Sequence, residues 1–464
     1  MHATSWRTNG RGARTNRAVP GNRASRRTHT KEEGRPNMRL GISLAALCAL
    51  SLTFAGCAPS TPGSASVATA SAPEAFSAER LARIEALLQQ YVDEERIAGA
   101  VALVLRDGEP VFERAVGWRD KEAGDPMQVD TIFRIASQTK ALTSAAVLAL
   151  MEEGKLRLNG PVSEFIPGFA KTTVAVPGGK PVPAVRPITI RDLLTHTAGI
   201  SYGTEPHLAE RYAAQGLGPA AGFGWYTADK DEPVCETMER LATLPFAAQP
   251  GERFVYGYAT DVLGCVVERA SGMSLDEFLR TRFFEPLGMR DTHFFLPEDK
   301  RERLAVVYAR RADGTIERAP EGARGQGHYL EGPRKSFSGG AGLLSTAHDY
   351  ARFLEMIRND GVLDGARILA PRTVALMRTN QLEDAPGGRG FGFGFQTVER
   401  YGANGMDAPG AHGWGGAYST TYRIDPEARL VMVLMLQLLP GPTDLGEKFP
   451  ALVHQALLEP LAGT

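Results

Sequence analysis

Between positions 78 and 94 the apolar residues Leu81, Ile84, Leu87, Leu88, Tyr91 and Val92 recur at short helical intervals among charged and amide side chains. That spacing lines one face of an amphipathic helix. The period then changes. The stretch "AGAVALVLRDGEPVFERAVGW" holds two β-rich runs on either side of Asp107-Gly108, a dipeptide suited to a tight hairpin turn. From 138 to about 330 the pattern is helix-rich, interrupted by "PGFAKTTVAVPGGKPVPAVRP" and "GLGPAAGFGW". Strand signals return in "GFGFGFQTVE" and "AYSTTYRIDPEARLVMVLMLQ", ahead of a last helix over "EKFPALVHQALLEPL". Strands at both ends with helices between them predict an α+β fold, an α/β sandwich. Its antiparallel sheet is assembled from N- and C-terminal segments and flanked by helices, with a mostly helical lobe inserted over roughly 155–330. The site is expected where sheet and lobe meet, since pockets commonly form at such junctions. No repeat of solenoid type is present.

The first 37 residues break with this pattern: eight Arg and one Lys stand against two Glu, with few apolar positions and no periodicity. Such a stretch cannot build a core. It is followed by "MRLGISLAALCALSLTFAGCAPS", in which Met38 and Arg39 resemble a positive n-region and Leu40 to Phe54 an apolar h-region, the layout of a secretory signal. Phe54-Ala55-Gly56-Cys57 is similar to a bacterial lipobox, with Phe in place of the usual Leu, and makes Cys57 the expected lipidation site. Residues 38–56 therefore read as a lipoprotein signal peptide, 57–77 as a small-residue tether between lipid and domain, and 78–464 as the folded unit. Signal peptides open close to their start, so Met38 fits as the start better than Met1. Residues 1–37 then read as a non-native or disordered leader; an unusually long n-region is the alternative. The expected location is the bacterial cell envelope, facing the periplasm, with Ala58 favouring the outer membrane.

Charge changes with this division. The 464-residue chain carries 52 basic and 53 acidic side chains, but without residues 1–56 the balance is 42 to 51. An acidic domain lacks the electrostatic footprint of nucleic-acid binding, so the basic leader is not a DNA-binding arm. Hydrophobic residues at 43% and charged residues at 23% are ordinary globular usage and indicate neither a disordered nor a polytopic membrane chain. Of four cysteines, Cys48 would leave with the expected signal and Cys57 would be acylated; Cys235 and Cys265 remain, each in a helix-like segment. A disulfide between them and two buried free thiols both stay open.

The chemistry starts at "FRIASQTKALTSAAVLALMEEGK", where Ser137 and Lys140 stand three apart at the mouth of an apolar helix. In a helix they share a face. A serine hydroxyl becomes a nucleophile when a neighbouring base takes its proton, and a lysine removed from water can be that base. The helix N-terminus adds N–H donors and a dipole that favour negative charge on the reacting oxygen. Alone the pair is weak evidence, because serine at a helix start is usually a cap.

Four further segments follow in order: "ITIRDLLTHTAGI", "PGERFVYGYATDVLGCVVERASG", "SFSGGAGLLSTAHDYARF" and "HGWGGAYSTTYRIDP". With the SxxK pair they resemble the serine β-lactamase, penicillin-binding-protein and esterase superfamily, and most of all the class C β-lactamases and family VIII carboxylesterases. The resemblance spans about 80 to 460 and implies the β-lactamase/penicillin-binding-protein fold. It implies Ser137 as the acylated nucleophile, Lys140 as its base and Tyr256 as the proton relay. Trp414, Gly415 and Gly416 are similar to the third motif, and the backbone N–H groups of Ser137 and Ala417 would then form the oxyanion hole.

Two positions depart from the β-lactamase pattern. Its second motif, YxN, is here Tyr256-Gly257-Tyr258, which puts Tyr258 where the resemblance implies a substrate contact, and the Lys that opens its third motif is here Trp414. A site without these groups holds a β-lactam carboxylate poorly and suits a small neutral acyl ester. The expected function is therefore carboxylic ester hydrolysis through acyl-Ser137. A β-lactamase, a D-amino-acid peptidase or transpeptidase, an acyltransferase and a silent protein that binds wall peptides or a partner are the alternatives. The third motif could also be aligned on His412-Gly413. Gly199-Ile200-Ser201-Tyr202-Gly203 matches GxSxG, but helix-like rather than strand-like sequence precedes it, against a nucleophile elbow. The nine His residues lack HExxH spacing, and neither CxxC nor a phosphate-binding loop occurs, so no metal or other cofactor is expected.

Overall fold

The apolar stripe at the start of the domain forms helix α1 (Ala78–Asp93), opened by Ser77, whose hydroxyl accepts the Arg80 N–H, and burying Ile84, Leu88 and Tyr91. The computed structural model describes residues 75–218, 229–322, 325–441 and 443–460. The leader, the signal segment, Cys57, residues 58–74 of the tether, and the aromatics Phe223, Trp225 and Tyr226 of the "AGFGWY" stretch, which the sequence offers either as an acyl-pocket lining or as plain packing residues, lie outside the described residues. Ala75 and Phe76, expected in the tether, are buried. Phe76 bridges to Leu457, the Ser77 N–H donates to the Ala456 carbonyl (2.9 Å), and the Leu458 N–H to that of Ala75 (2.9 Å).

The hairpin forms where the turn signal lies: β1 (Gly99–Arg106) and β2 (Glu109–Asp120) flank Asp107 and Gly108, both with positive φ, +53° and +84°, as a type I′ turn requires. A short β3 (Asp125–Pro126) follows. From the C-terminal part come β4 (Arg389–Phe391), β5 (Gln396–Val398), β6 (His412–Gly415), β7 (Thr421–Asp425) and β8 (Leu430–Met435). The eight strands make one sheet in the order β4-β5-β6-β7-β8-β1-β2-β3, all neighbours antiparallel. At its centre the two ends of the chain meet, with Val101 opposite Met435 and Leu105 opposite Val431.

β1 is buried along its whole length, so both faces of the sheet are covered. Its alternate residues divide between two cores, as a period of two demands. Ala100, Ala102 and Val104 pack with α1 and the C-terminal helix α7 (Leu445–Ala456), through Leu88, Phe449 and Val453. Val101, Leu103 and Leu105 join the larger core shared with α2 (Thr139–Glu152) and α6 (Ala347–Arg358). Burying one such aliphatic side chain contributes about 1.5–3 kcal/mol.

The segment between sheet halves holds α3 (Ile190–Leu194), α4 (Val234–Leu241) and α5 (Ala259–Ser271). It is less helical than its apolar spacing suggests. The Pro- and Gly-rich stretch carries a three-stranded sheet of Thr173–Val174, Val182–Pro183 and Pro245–Phe246, and residues 308–318 hold a short strand pair. Cys235 on α4 and Cys265 on α5 are joined in a disulfide, which resolves the two readings left open by the sequence. Among the described residues no helix is long and apolar enough to cross a membrane.

Candidate active site

Ser137 lies in the 3-10 turn Ala136–Gln138 that runs directly into α2. Ala136 before it takes φ +43°, a left-handed conformation that a non-glycine residue adopts at a cost and that gathers at sites where a side chain must be held out of line. No side-chain cap hydrogen bond is made at this helix end, so the serine does not act as a cap. It is half-buried, and Lys140, one turn on, is 2% exposed.

The Lys140 amine lies 3.3 Å from Ser137 Oγ, 3.1 Å from the Tyr202 hydroxyl and 2.7 Å from the Gly340 carbonyl. It stands over the Tyr256 ring, 4.8 Å from its centroid. Among the described residues no carboxylate pairs with it, and its polar partners are dipoles. The Gly340 carbonyl is aimed by Asp261, whose Oδ1 accepts from the Gly340 N–H (3.1 Å) and from the Ser338 hydroxyl (2.7 Å). Thr143 donates to the Gly339 carbonyl (2.8 Å), and Thr139 accepts the Leu343 N–H (3.1 Å). The "SGGAG" loop is thereby stitched along α2. A Cβ at Gly340 would come within 2.4 Å of Asp261 Oδ2, which is why glycine is needed there.

Tyr256 sits in the turn before α5, half-buried, and accepts a hydrogen bond from Trp414 Nε1 (3.2 Å). Its ring lies 4.8 Å from that of His196, 5.6 Å from that of Trp414 and 5.8 Å from that of Tyr202. Burial, with the Lys140 charge adding to it, pushes the His196 imidazole down to about 3, so this wall of the site is uncharged at neutral pH. Burial raises the Tyr202 phenol well above its ordinary value, and Tyr256 and Asp261 add to the shift. The residue between the two motif tyrosines, Gly257, lies so close to the Ile200 carbonyl that a Cβ would stand 2.3 Å from it. Tyr258, expected to touch substrate, is 1% exposed; its hydroxyl accepts the Gly218 N–H (3.1 Å) and its ring packs 4.9 Å from that of Tyr202. It supports the wall from behind.

Strand β6 carries Trp414 and Gly415 to the same place. Beyond it the Gly416 backbone abuts the Ile135 carbonyl, 2.4 Å from a Cβ built there, which brings the third motif against the chain leading to Ser137. In the following turn the Gly416 and Ser419 N–H groups are taken by the Thr420 and Gly416 carbonyls. Among the described residues the Ala417 N–H donates to no group of the chain, leaving it available for an outside oxygen. His412, the alternative register, is 1% exposed, bonded through Nδ1 to the Gly410 carbonyl (2.9 Å) and packed on Phe395; burial pushes its imidazole down to about 4. Ser201 follows α3 and not a strand, and its buried hydroxyl donates to Glu205 (2.7 Å).

Sequence reasoning missed Tyr202, Asp261, Gly340 and His196 as parts of this cluster. The only signals for them were the tyrosine inside the GxSxG decoy and the paired glycines of "SGGAG". Among the described residues one group, Asp407, Asp425 and His454, brings its ligating atoms within 4.8 Å of one another. Its oxygens already face His454 (3.2 Å), Asn404 (2.5 Å), Arg423 (3.4 Å) and backbone N–H groups of Ala408, Glu427 and Ala428.

The arrangement is a buried amine in reach of a serine oxygen, a phenol beside it, a backbone N–H that among the described residues donates to no group of the chain, and walls that carry the aromatic rings of Tyr202, Tyr256 and Trp414. Comparison with known proteins points the same way. The family model described as "Beta-lactamase" matches residues 84–457. Esterase EstB of Burkholderia gladioli is 37% identical over 341 residues, covering 70% of this chain and 81% of its own. Protein Rv1367c of Mycobacterium tuberculosis is 37% identical over 377 residues, covering 76% and 89%. Among solved structures, EstCE1, a hydrolase with promiscuous acyltransferase activity, superposes with a TM-score of 0.67 at 30% identity, covering 82% of this chain and 99% of that one.

Proposed function

The chain belongs to the beta-lactamase family, and from that premise we propose a serine hydrolase that cleaves small carboxylic esters through an acyl-Ser137 intermediate. The observation that carries this reading is the 3.3 Å approach of the buried Lys140 amine to Ser137 Oγ in a site where Trp414 stands in place of a lysine. Lys140 takes the serine proton as Oγ attacks the carbonyl carbon. The developing oxyanion accepts from the Ser137 and Ala417 N–H groups, and one such preorganised donor is worth about 3–4 kcal/mol. The tetrahedral intermediate collapses: the bond to the leaving oxygen breaks, Tyr256 hands a proton to the departing alkoxide, and the Lys140 ammonium beside it returns the serine proton to the phenol, which restores both groups. Water then attacks the acyl-enzyme by the reverse route and releases the acid. An acyltransferase reading is favoured alongside by the activity named for EstCE1: an alcohol in place of water would take the acyl group at the same site.

The reading is tested with p-nitrophenyl butyrate and a chromogenic cephalosporin on the full-length protein and Ser137→Ala. Ester turnover lost in the variant, with little cephalosporin turnover, supports it. Ester turnover that survives the substitution would sink it.

We further propose that the protein is a lipoprotein of the bacterial cell envelope, acylated at Cys57. The lipobox-like segment and the Cys235–Cys265 disulfide support an oxidising compartment outside the cytoplasm. Cys57→Ser should then move the protein from the membrane to the soluble fraction; an unchanged membrane fraction would refute the anchor.

A further inference from the structure

Arg134 lies three residues before Ser137 and is 3% exposed, yet among the described residues no carboxylate pairs with it. Its guanidinium donates to the carbonyls of Gln326 (2.6 Å) and Ala305 (2.5 Å) and to Gln437 Oε1 (3.4 Å). Among the described residues it also lies over the Tyr329 ring, 5.6 Å from its centroid; a buried cation held by dipoles and a ring face, without a paired carboxylate, is costly, so its place needs a reason.

The reason lies in the two glutamines. Gln437 follows β8, is 6% exposed, and exchanges two hydrogen bonds with the Arg134 backbone. The Arg134 N–H donates to Oε1 (3.1 Å), and Nε2 donates to the Arg134 carbonyl (3.1 Å). The carboxamide thus behaves as the facing residue of a β-ladder. Gln326 does the same for Val307, accepting its N–H (3.0 Å) and donating to its carbonyl (2.9 Å). An amide can turn over and swap donor for acceptor. The guanidinium contact to Oε1 permits only the orientation of Gln437 that serves the Arg134 backbone.

This tie joins the two sides of the oxyanion hole. On one side Arg134 precedes Ser137 by three residues. On the other, the Leu438 N–H, next to Gln437, donates to the carbonyl of Tyr418 (3.0 Å), and Ser419 Oγ donates to the Leu438 carbonyl (3.1 Å). Tyr418 adjoins Ala417. A single hydrogen-bonded path therefore runs from the Ser137 N–H through Arg134, Gln437, Leu438 and Tyr418 to the Ala417 N–H. We propose that Arg134 and Gln437 are positioning residues that fix the separation of the two oxyanion donors. The inference rests on the ester-hydrolase reading above.

The test measures three quantities on wild type, Gln437→Leu, Gln437→Glu and Arg134→Lys, with Ser137→Ala as the unlabelled control: melting temperature, kcat and KM for the ester, and the rate of labelling by an alkyl fluorophosphonate, which also places an oxygen in the hole. Misplaced donors cost rate and not ground-state binding. Gln437→Leu is expected to lower kcat and labelling by about 10- to 100-fold with KM nearly unchanged. Gln437→Glu keeps the acceptor for the Arg134 N–H and should recover part of the loss. If Gln437→Leu does not fold, Gln437→Glu and Arg134→Lys decide, each expected to lose at least threefold in labelling. A folded variant set that labels at the wild-type rate, or that loses only melting temperature or only KM, overturns the proposal. Ser137-dependent labelling without ester turnover in wild type would reject the ester reading while the labelling comparison still judges the positioning role. Neither labelling nor turnover would overturn both.

Discussion

Trp414 Nε1 donates to the Tyr256 hydroxyl across 3.2 Å, so the indole on strand β6 holds the phenol that lies beside the Lys140 amine. The indole N–H is a donor only, which leaves the phenol free to give its own proton elsewhere. Trp414→Phe keeps most of the ring and removes the donor. A neutral hydrogen bond nets about 0.5–1.5 kcal/mol, so kcat for a p-nitrophenyl ester should fall by roughly 2- to 12-fold with KM little changed. An unaltered kcat would remove this bond from the mechanism.

Gly257 faces the backbone of Ile200 and Ser201, with a built Cβ 2.3 Å from the Ile200 carbonyl oxygen and 2.5 Å from Ser201 Cα. Backbone cannot swing aside as a long side chain can. Gly257→Ala should therefore cost about 1–3 kcal/mol or more, read as a lower midpoint in urea, and should shift Tyr256 on one side and Tyr258 on the other. A midpoint within error of wild type would mean the two segments are less tightly packed than described.

His196 and His412 are buried and neutral, with pKa values pushed down to about 3 and about 4. In the unfolded chain each binds a proton near pH 6.5. Stability is thus fully present above that value and declines as pH falls from about 6.5 toward the folded values, because the unfolded state binds more protons there. The limiting slope is about 1.4 kcal/mol per pH unit for each histidine. Urea titrations at pH 7.5 and pH 5 should show the loss, and a His412→Gln variant should show a shallower one. Equal pH dependence in the two proteins would contradict the assignment.

The Cys235–Cys265 disulfide closes a loop with a sequence separation of 30 and ties α4 to α5, the helix that carries Asp261. A loop of that size is worth about 3–4 kcal/mol in the chain-entropy account. Cys235→Ser with Cys265→Ser should lower the melting temperature clearly, and dithiothreitol should lower that of wild type but not of the double variant. No response to reductant in wild type would mean the thiols are free.

The parts of the molecule that announced themselves in the sequence are local or periodic. The stripe of α1, the Asp107-Gly108 turn and the alternation in the last strands each depend on neighbours a few positions away. The Ser137/Lys140 pair is one helical turn. What stayed hidden is pairing between distant side chains. Arg134 and Gln437 are 303 positions apart, Lys140 and Gly340 are 200 apart, and neither contact leaves a period to read. Tyr258 shows the converse: the motif spacing suggested a substrate contact, but packing behind Tyr202 and the Gly218 N–H took the hydroxyl. Two free thiols and a disulfide look alike in sequence, since helix spacing carries no information about which faces meet.

The hydrogen bonds between residues 75–77 and 456–458 make the folded chain nearly a ring, closed at one seam. The seam lies against α1 and α7, on the side of the sheet opposite the core shared by α2. The proposed tether, if it enters before residue 75, and chain leaving after residue 460 would share one exit. Tension along such a tether would act first on that short seam, peeling a few residues before it reached the strands that carry Trp414 or the turn that carries Ser137. A circular permutant joined across the seam and opened at Gly124, where a built Cβ meets nothing within 4 Å, would keep Ser137, Lys140, Tyr256 and Trp414 together in one uninterrupted stretch.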